Sequence, residues 1–445
     1  MEQPMSVARL AATTPPERDR LVDLVRAASI VVVVLGHWTM AALEPVGADG
    51  LAVRNVLEVT TWARPATWLL QVMPMFFLAA GFTNALALRR HGADGAAIVT
   101  GRVTRVLTPT VVFVAVWLGL AWVLQAAGLP DGLVDAAGSA AAMPLWFLAV
   151  YLLLALLAPL QYAAHRRSPW LLTVVLPPVA FALDRLQGTA WEGLALVNYV
   201  VVFGFCQELG FLHAEGRLAP LPRWAWAAAG AGATGVLVLL TGPGPYPVSM
   251  IGLPGDEVSN MLPPSVCVAV VAVLQLCGLM LLRPGLTRWL ERPGPWRATV
   301  AVNGVVMTVF LWHITGYVLA AGAAHLAGVP MPAVGSARWW AEKPLWLVAA
   351  AVVTAGLVAA FRWAEQPRPA PRRVLAPAAL ASALAGVAGL TMVACAGFSD
   401  PFTRGGVALA GVTFAPATGA VLVVVALGLA RLAARAPGPQ RRPVL

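Results

Sequence analysis

Residues 17–40 read ERDRLVDLVRAASIVVVVLGHWTM, and this stretch decides the fold. Alternating charges give way to an apolar run that closes on a histidine. A membrane-spanning helix needs about 20 mostly apolar residues, and 24–43 supplies them. Further stretches of the same kind follow at 66–88, 107–127, 144–162, 170–184, 194–212, 224–241, 264–282, 299–322, 344–361, 374–397 and 405–430. The fifth, 170–184, is short and carries Pro177-Pro178, which predicts a broken or tilted helix. The fold class is therefore all-α: a polytopic transmembrane helix bundle of about 12 spans.

Composition agrees. Of 445 residues 59% are hydrophobic and 11% charged, against about 25% charged in a typical soluble domain. An ordinary cytosolic enzyme, a disordered chain, a collagen-like fibre and a disulfide-stapled secreted domain are all excluded. The formal net charge of +10 comes from 30 Lys+Arg against 20 Asp+Glu, and every base except Lys343 is Arg. These arginines sit in short clusters between apolar runs, a pattern of membrane orientation and not of nucleic-acid binding. With the N-terminus in the cytoplasm, 24 of the 30 fall on the cytoplasmic side, and Arg54, Arg64, Arg185, Arg338, Lys343 and Arg404 on the other. This predicts a multi-pass protein of the plasma membrane with both termini cytoplasmic and no cleaved signal. Cys206, Cys267, Cys277 and Cys395 lie in apolar stretches, so neither a disulfide nor a metal site is expected.

Arg26 and His37 are the most informative pair. Eleven residues at about 100° each come within ~20° of three full turns, so both side chains share one helix face, ~16 Å apart along the axis. Arg26 lies near the inner surface and His37 deep in the bilayer. Asp19 and Asp23 precede Arg26 at helical spacing and can hold its guanidinium. A lone histidine in a span is more often a core side chain bonded to a neighbouring helix. An ionisable group within a span is nevertheless a functional candidate, and the register with Arg26 favours that reading. Asn84 and Asn303 read as polar contacts between helices. Trp62, Trp68, Trp146, Trp191, Trp339, Trp340 and Trp346 fall toward the outer side as an aromatic belt, with stacking on a sugar the alternative for one or two.

With these residues in view, the chain resembles the membrane acyltransferase-3 family, bacterial integral-membrane O-acyltransferases. Arg26, ten residues and His37, preceded by Asp23-x-x-Arg26, carry the most specific likeness. Pro74-Met75-Phe76-Phe77-Leu78-Ala79-Ala80-Gly81-Phe82 resembles the family's Phe-Phe-x-x-Ser-Gly-Phe segment, with Ala80 in place of Ser. Arg102-Val-Thr-Arg105-Val-Leu-Thr-Pro109, Pro144-Leu145-Trp146-Phe147-Leu148, Leu311-Trp312-His313 and Glu365-Gln366-Pro367 match further segments in order, although Ile314-Thr315 and not proline follows His313.

The resemblance covers roughly residues 17–370. It implies a ten-helix acyltransferase core, here followed by two C-terminal helices. The organisation expected is a cytoplasmic segment 1–23, a membrane domain 24–363, a linker 364–373, a helix pair 374–430 and a tail 431–445. It further implies transfer of an acyl group, acetyl foremost, from cytoplasmic acyl-CoA to a hydroxyl of a sugar, glycan or glycoside of the cell envelope. On that reading His37 is general base or transient acyl carrier. His313 orients it, stabilises the oxyanion or binds acceptor. Arg26, Arg102 and Arg105 meet the phosphates of acyl-CoA, with no metal. Partners are then acyl-CoA, a carbohydrate acceptor and the lipid bilayer, and no nucleic acid. The second reading is a transporter or flippase of a lipid-linked or small amphipathic substrate, which twelve spans, both ends inside and a broken fifth helix would suit, and a non-catalytic scaffold is a third. The Arg26–His37 register separates the first from the others.

Overall fold

In a bilayer every backbone N–H must find its acceptor within its own segment, so long runs of Ala, Val and Leu close into helices. The computed structural model describes residues 7–15, 18–46, 50–90, 95–256, 258–365, 374–398, 407–409 and 412–434. We number the membrane helices α1 (Arg20–Met40), α2 (Met73–Arg90), α3 (Gly95–Ala126), α4 (Leu145–Arg167), α5 (Leu171–Asp184), α6 (Asn198–Ala214), α7 (Arg223–Thr241), α8 (Val266–Glu291), α9 (Val306–Leu326), α10 (Ala337–Phe361), α11 (Ala376–Ala396) and α12 (Pro416–Ala433). Among the described residues eleven apolar helical segments are long enough to cross a membrane, and α5 is a shorter apolar helix. Every expected span overlaps one of the twelve. Two small antiparallel hairpins, β1 (Ala41–Val46) with β2 (Gly50–Asn55) and β3 (Val407–Leu409) with β4 (Val412–Phe414), join α1 to the next segment and α11 to α12. Most of the linker 364–373 and of the tail 431–445 lies outside the described residues.

Three expectations are corrected. First, of the broken or tilted helix expected at 170–184 the break is absent: α5 runs through Pro177 and Pro178. A proline removes a donor but its φ suits a helix, and 14 residues make only about 21 Å. Second, the span expected at 299–322 is not one helix. A helix Pro293–Gly304 ends, Val305 leaves the helical region at φ −130°, and α9 restarts at Val306. The new N-terminus has its own anion. Glu365 accepts from the N–H groups of Met307 and Thr308 at 2.9 Å each, and from the Thr308 hydroxyl at 2.7 Å. A carboxylate there satisfies otherwise orphaned donors and complements the helix dipole. Third, α12 starts only at Pro416, placed at the first helical turn where a missing N–H costs nothing.

Close crossings hold the bundle. Gly81 of α2 and Gly210 of α6 face each other so tightly that a Cβ on either would sit 2.1 Å from a backbone oxygen, of Gln207 and Leu78 respectively. Gly389 of α11 and Gly419 of α12 repeat the arrangement. Small residues at such crossings let backbones approach where lipid offers no hydrophobic drive. The α11–α12 pair packs against α3 and α4, and Phe398 stacks on Trp117 with centroids 5.8 Å apart. At the centre Phe77 stacks on Phe203 at 4.4 Å, and Phe147 meets Phe310 edge-on at 5.2 Å.

Candidate active site

Asp19 starts α1: its carboxylate accepts from the N–H groups of Leu21 and Val22. It does not reach Arg26. Its other oxygen lies 3.3 Å from His213 Nε2 on α6. Burial alone would raise the Asp19 pKa, but the hydrogen bond and charge of His213, with the two backbone donors, hold it below the usual aspartate range. Asp23 is bound chiefly to Arg18, by Nε at 2.5 Å and Nη2 at 2.9 Å. It stands 4.0 Å from Arg26 Nη1, the outer limit of an ion pair. The expectation that both aspartates hold Arg26 is therefore met only loosely, and by Asp23 alone.

That leaves Arg26 turned to a cavity which Arg102 and Arg105 also line, with Ile30, Phe76, Ala80, Thr83, Tyr151 and Phe310 among its walls. Three guanidinium groups from α1 and α3 thus border one space. Ala80 lies in that wall, at the position where the family pattern carries serine. Arg102 is fixed from α2, donating from Nη2 to Asn84 Oδ1 at 3.1 Å and Thr83 Oγ1 at 3.3 Å.

Arg102 is also the end of a chain of hydrogen bonds that sequence reasoning did not find. Asn84 Nδ2 donates to Gln207 Oε1 (3.1 Å), Gln207 Nε2 to Gln161 Oε1 (2.8 Å) and Gln161 Nε2 to Glu208 Oε2 (3.1 Å). Every amide donates in the same direction, from cation to carboxylate, so the dipoles reinforce one another. Glu208 in turn bonds His165 Nδ1. His165 Nε2 is 3.3 Å from Glu215 Oε2 but outside hydrogen-bond alignment, and Arg217 holds Glu215 at 2.9 Å. Glu208 inside the expected span 194–212 was the available signal, since a carboxylate in an apolar run demands a partner. Asn303 is an interhelical contact as expected, donating to the Asp23 carbonyl at 2.9 Å.

Toward the other end of α1, His37 and His313 meet. His37 Nδ1 and His313 Nε2 are 2.8 Å apart. His313 is fully buried, and its Nδ1 lies 2.7 Å from the carbonyl oxygen of Phe310. A carbonyl only accepts, so His313 Nδ1 carries a proton; in the neutral ring Nε2 is then an acceptor. His37 must donate from Nδ1, which leaves its Nε2 as the bare, basic nitrogen. Trp38 secures the pair by donating from Nε1 to the His313 carbonyl at 2.8 Å. Neither imidazole lines the arginine cavity. Its walls reach Ile30, seven residues before His37, and Phe310, three before His313. The two candidate histidines, 276 positions apart in the chain, are in contact.

The profile of the acyltransferase-3 family, described as an acyltransferase domain, matches residues 20–363. The match takes in both histidines, the three cavity arginines and α1 to α10, and ends before α11. No curated protein and no solved structure matches the chain.

Proposed function

This chain belongs to the acyltransferase-3 family of membrane acyltransferases, and on that premise we propose that it moves an acyl group from acyl-CoA to a hydroxyl of a sugar, glycan or glycoside, with His37 as general base. Acetyl is the group we assign first. Arg26, Arg102 and Arg105 receive the phosphates of the donor, at the end of the bundle we place in the cytoplasm of a plasma-membrane protein. Arginine suits that task because its planar fork makes paired, charge-assisted bonds to phosphate oxygens. The thioester arm then passes Ile30 and Phe310 to reach the imidazoles.

At the pair, the acceptor hydroxyl gives its proton to His37 Nε2 as its oxygen attacks the thioester carbonyl. The O–C bond forms, the tetrahedral intermediate collapses, the C–S bond breaks and the CoA thiolate leaves. His37 returns the proton to that sulfur. While His37 is charged, its Nδ1–H points at His313 Nε2, which spreads the charge toward the Phe310 carbonyl. This favours an orienting role for His313: the nitrogen that faces His37 accepts and has no proton for an oxyanion. A positioned base contributes about 10²–10⁴-fold, and alignment of the two substrates supplies much of the rest.

The observation that carries this reading is the His37–His313 hydrogen bond. The test is transfer of labelled acetyl from acetyl-CoA to cell-envelope glycans by protein purified into nanodiscs. His37→Ala is expected to abolish transfer with expression intact. Near-normal turnover in that variant would refute the assignment.

A further inference from the structure

Beyond the histidine pair, at the end of α1 away from Arg26, lies a second pocket. Tyr317, Met331, Pro332, Trp339, Lys343 and Trp346 line it. It contains the only lysine of the chain. Among the described long apolar helices α10 is the least covered by its neighbours, yet Lys343 on α10 is only 4% exposed. Its ammonium donates to the carbonyl of Ala41 at 2.7 Å, and sits 4.1 Å from the centre of the Trp339 ring and 5.5 Å from that of Tyr317. Among the described residues no carboxylate lies within ion-pair distance of it; the neighbouring Glu342 pairs with Arg338 at 2.6 Å. A buried ammonium ordinarily has an anion beside it. Here one carbonyl and two aromatic faces stand in for one. Trp339, expected in an interfacial belt, is likewise buried.

The position ties this pocket to the base. Ala41, the first residue after α1, follows His37 by four positions, and Tyr317 follows His313 by four on α9. Tyr317 donates its hydroxyl to the same Ala41 carbonyl at 2.8 Å. Four residues are about 6 Å of helix, so a molecule seated against Tyr317 and Lys343 has the His37–His313 pair roughly one sugar ring away. Aromatic side walls with one fixed cation form a site for a ring-shaped, hydroxylated molecule that carries negative charge.

We propose that this pocket binds the acyl acceptor, and that the acceptor is an acidic sugar whose carboxylate or phosphate pairs with Lys343 while a hydroxyl faces His37. That the bound sugar is the acceptor rests on the acyltransferase reading; the preference for an anionic sugar rests on Lys343 and its surroundings alone.

The test is equilibrium binding, followed by tryptophan fluorescence, to the full chain in nanodiscs without any acyl donor. The probes are glucuronate, glucose 1-phosphate and glucose. A charge-assisted contact predicts half-saturation about tenfold lower, or better, for at least one anionic probe than for glucose, and the two anions separate a carboxylate from a phosphate site. Lys343→Gln is expected to erase the preference and Lys343→Arg to retain most of it. Equal half-saturation for charged and neutral sugars, saturation by none of them, or a preference that survives Lys343→Gln overturns the proposal. Should Lys343→Gln fail to fold, the wild-type comparison decides. Trp346→Ala then serves as the second variant, expected to weaken all three sugars while keeping their order; a lost order in that variant counts against Lys343 as the discriminating group. With no donor present, the result reads the pocket whether or not transfer occurs. Binding of an anionic sugar with no transfer to any acceptor would fault the enzymatic reading and leave the pocket standing.

Discussion

His37 and His313 share a hydrogen bond of 2.8 Å with their ring planes within 9° of each other. Because His313 gives its Nδ1 proton to the Phe310 carbonyl, the direction of the bond is set and the free lone pair belongs to His37 Nε2. Removal of His313 therefore leaves the base in place but unoriented. We expect His313→Ala to lower kcat by about 10²-fold, within the range of a general-base contribution, with the KM for acyl-CoA unchanged. His313→Gln can still accept from His37 Nδ1 through its amide oxygen and is expected to recover part of the loss. Initial-rate kinetics on both variants measure it, and equal activity of the two would show that the accepting atom is immaterial.

Arg102 depends on α2 for its orientation. Asn84 accepts from its guanidinium and passes the polarity on to Gln207, Gln161 and Glu208. A hydrogen bond to a charged group contributes about 1.5–3 kcal/mol, so Asn84→Ala is expected to raise the KM for acyl-CoA roughly tenfold or more while kcat stays within about twofold. Gln207→Leu, one step further along, should raise it less. A fall in kcat with KM unchanged would place Asn84 in the chemical step and contradict the orienting role.

The helical architecture was open to sequence reading because hydropathy is local. Twelve apolar stretches need no knowledge of what packs against what, and each overlaps a helix. The same holds for Arg26 and His37, whose spacing is a property of one helix. What escaped was pairing across helices. The hydrogen bond of His313 to His37 joins residues 276 positions apart, and no spacing within one helix announces it. The break at Val305 depends on a carboxylate about sixty residues away, Glu365, which supplies the cap for α9. The burial of Lys343 was hidden because a charge close to a helix start looks the same in sequence whether it faces water or a tryptophan. Asp19 was read as a partner for Arg26 on spacing, but N-capping geometry and His213 claim it instead.

The α2–α6 crossing offers a test of packing. A Cβ at Gly81 would lie 2.1 Å from the Gln207 oxygen and within 2.9 Å of its backbone carbons. The obstructing atoms are main chain, so no rotamer change relieves the clash and the helices must part. Overpacking of this kind costs about 1–3 kcal/mol, occasionally more. Gly81→Ala is expected to lower the thermal unfolding midpoint markedly, and Gly210→Ala on the opposite side to do the same. Gly119, which has open space around its would-be Cβ, supplies the control: Gly119→Ala should be neutral or slightly stabilising, since alanine is the better helix former by about 1 kcal/mol. Equal melting of Gly81→Ala and Gly119→Ala would contradict the crossing geometry.

Asp19 predicts a pH dependence with a definite sign. Its carboxyl, partly desolvated yet bonded to His213 and to the first turn of α1, is held below the usual aspartate range. A carboxyl whose folded pKa is depressed contributes stability that is complete above the unfolded value of about 4 and is lost as pH falls through the folded one. Asp19→Asn keeps the cap, because an amide oxygen also accepts from Leu21 and Val22, but gives up the charge beside His213. The variant should therefore be less stable than the wild type at neutral pH by roughly 1 kcal/mol, the scale of a partly exposed charge at a helix N-terminus. That difference should begin to narrow as pH drops below about 4, where the carboxyl of the unfolded chain takes up a proton, and close once pH has fallen through the lower folded value. Chemical denaturation in detergent between neutral and acid pH measures both curves. Parallel curves with a constant gap would mean that the lost stability is capping alone and that the His213 pairing contributes nothing.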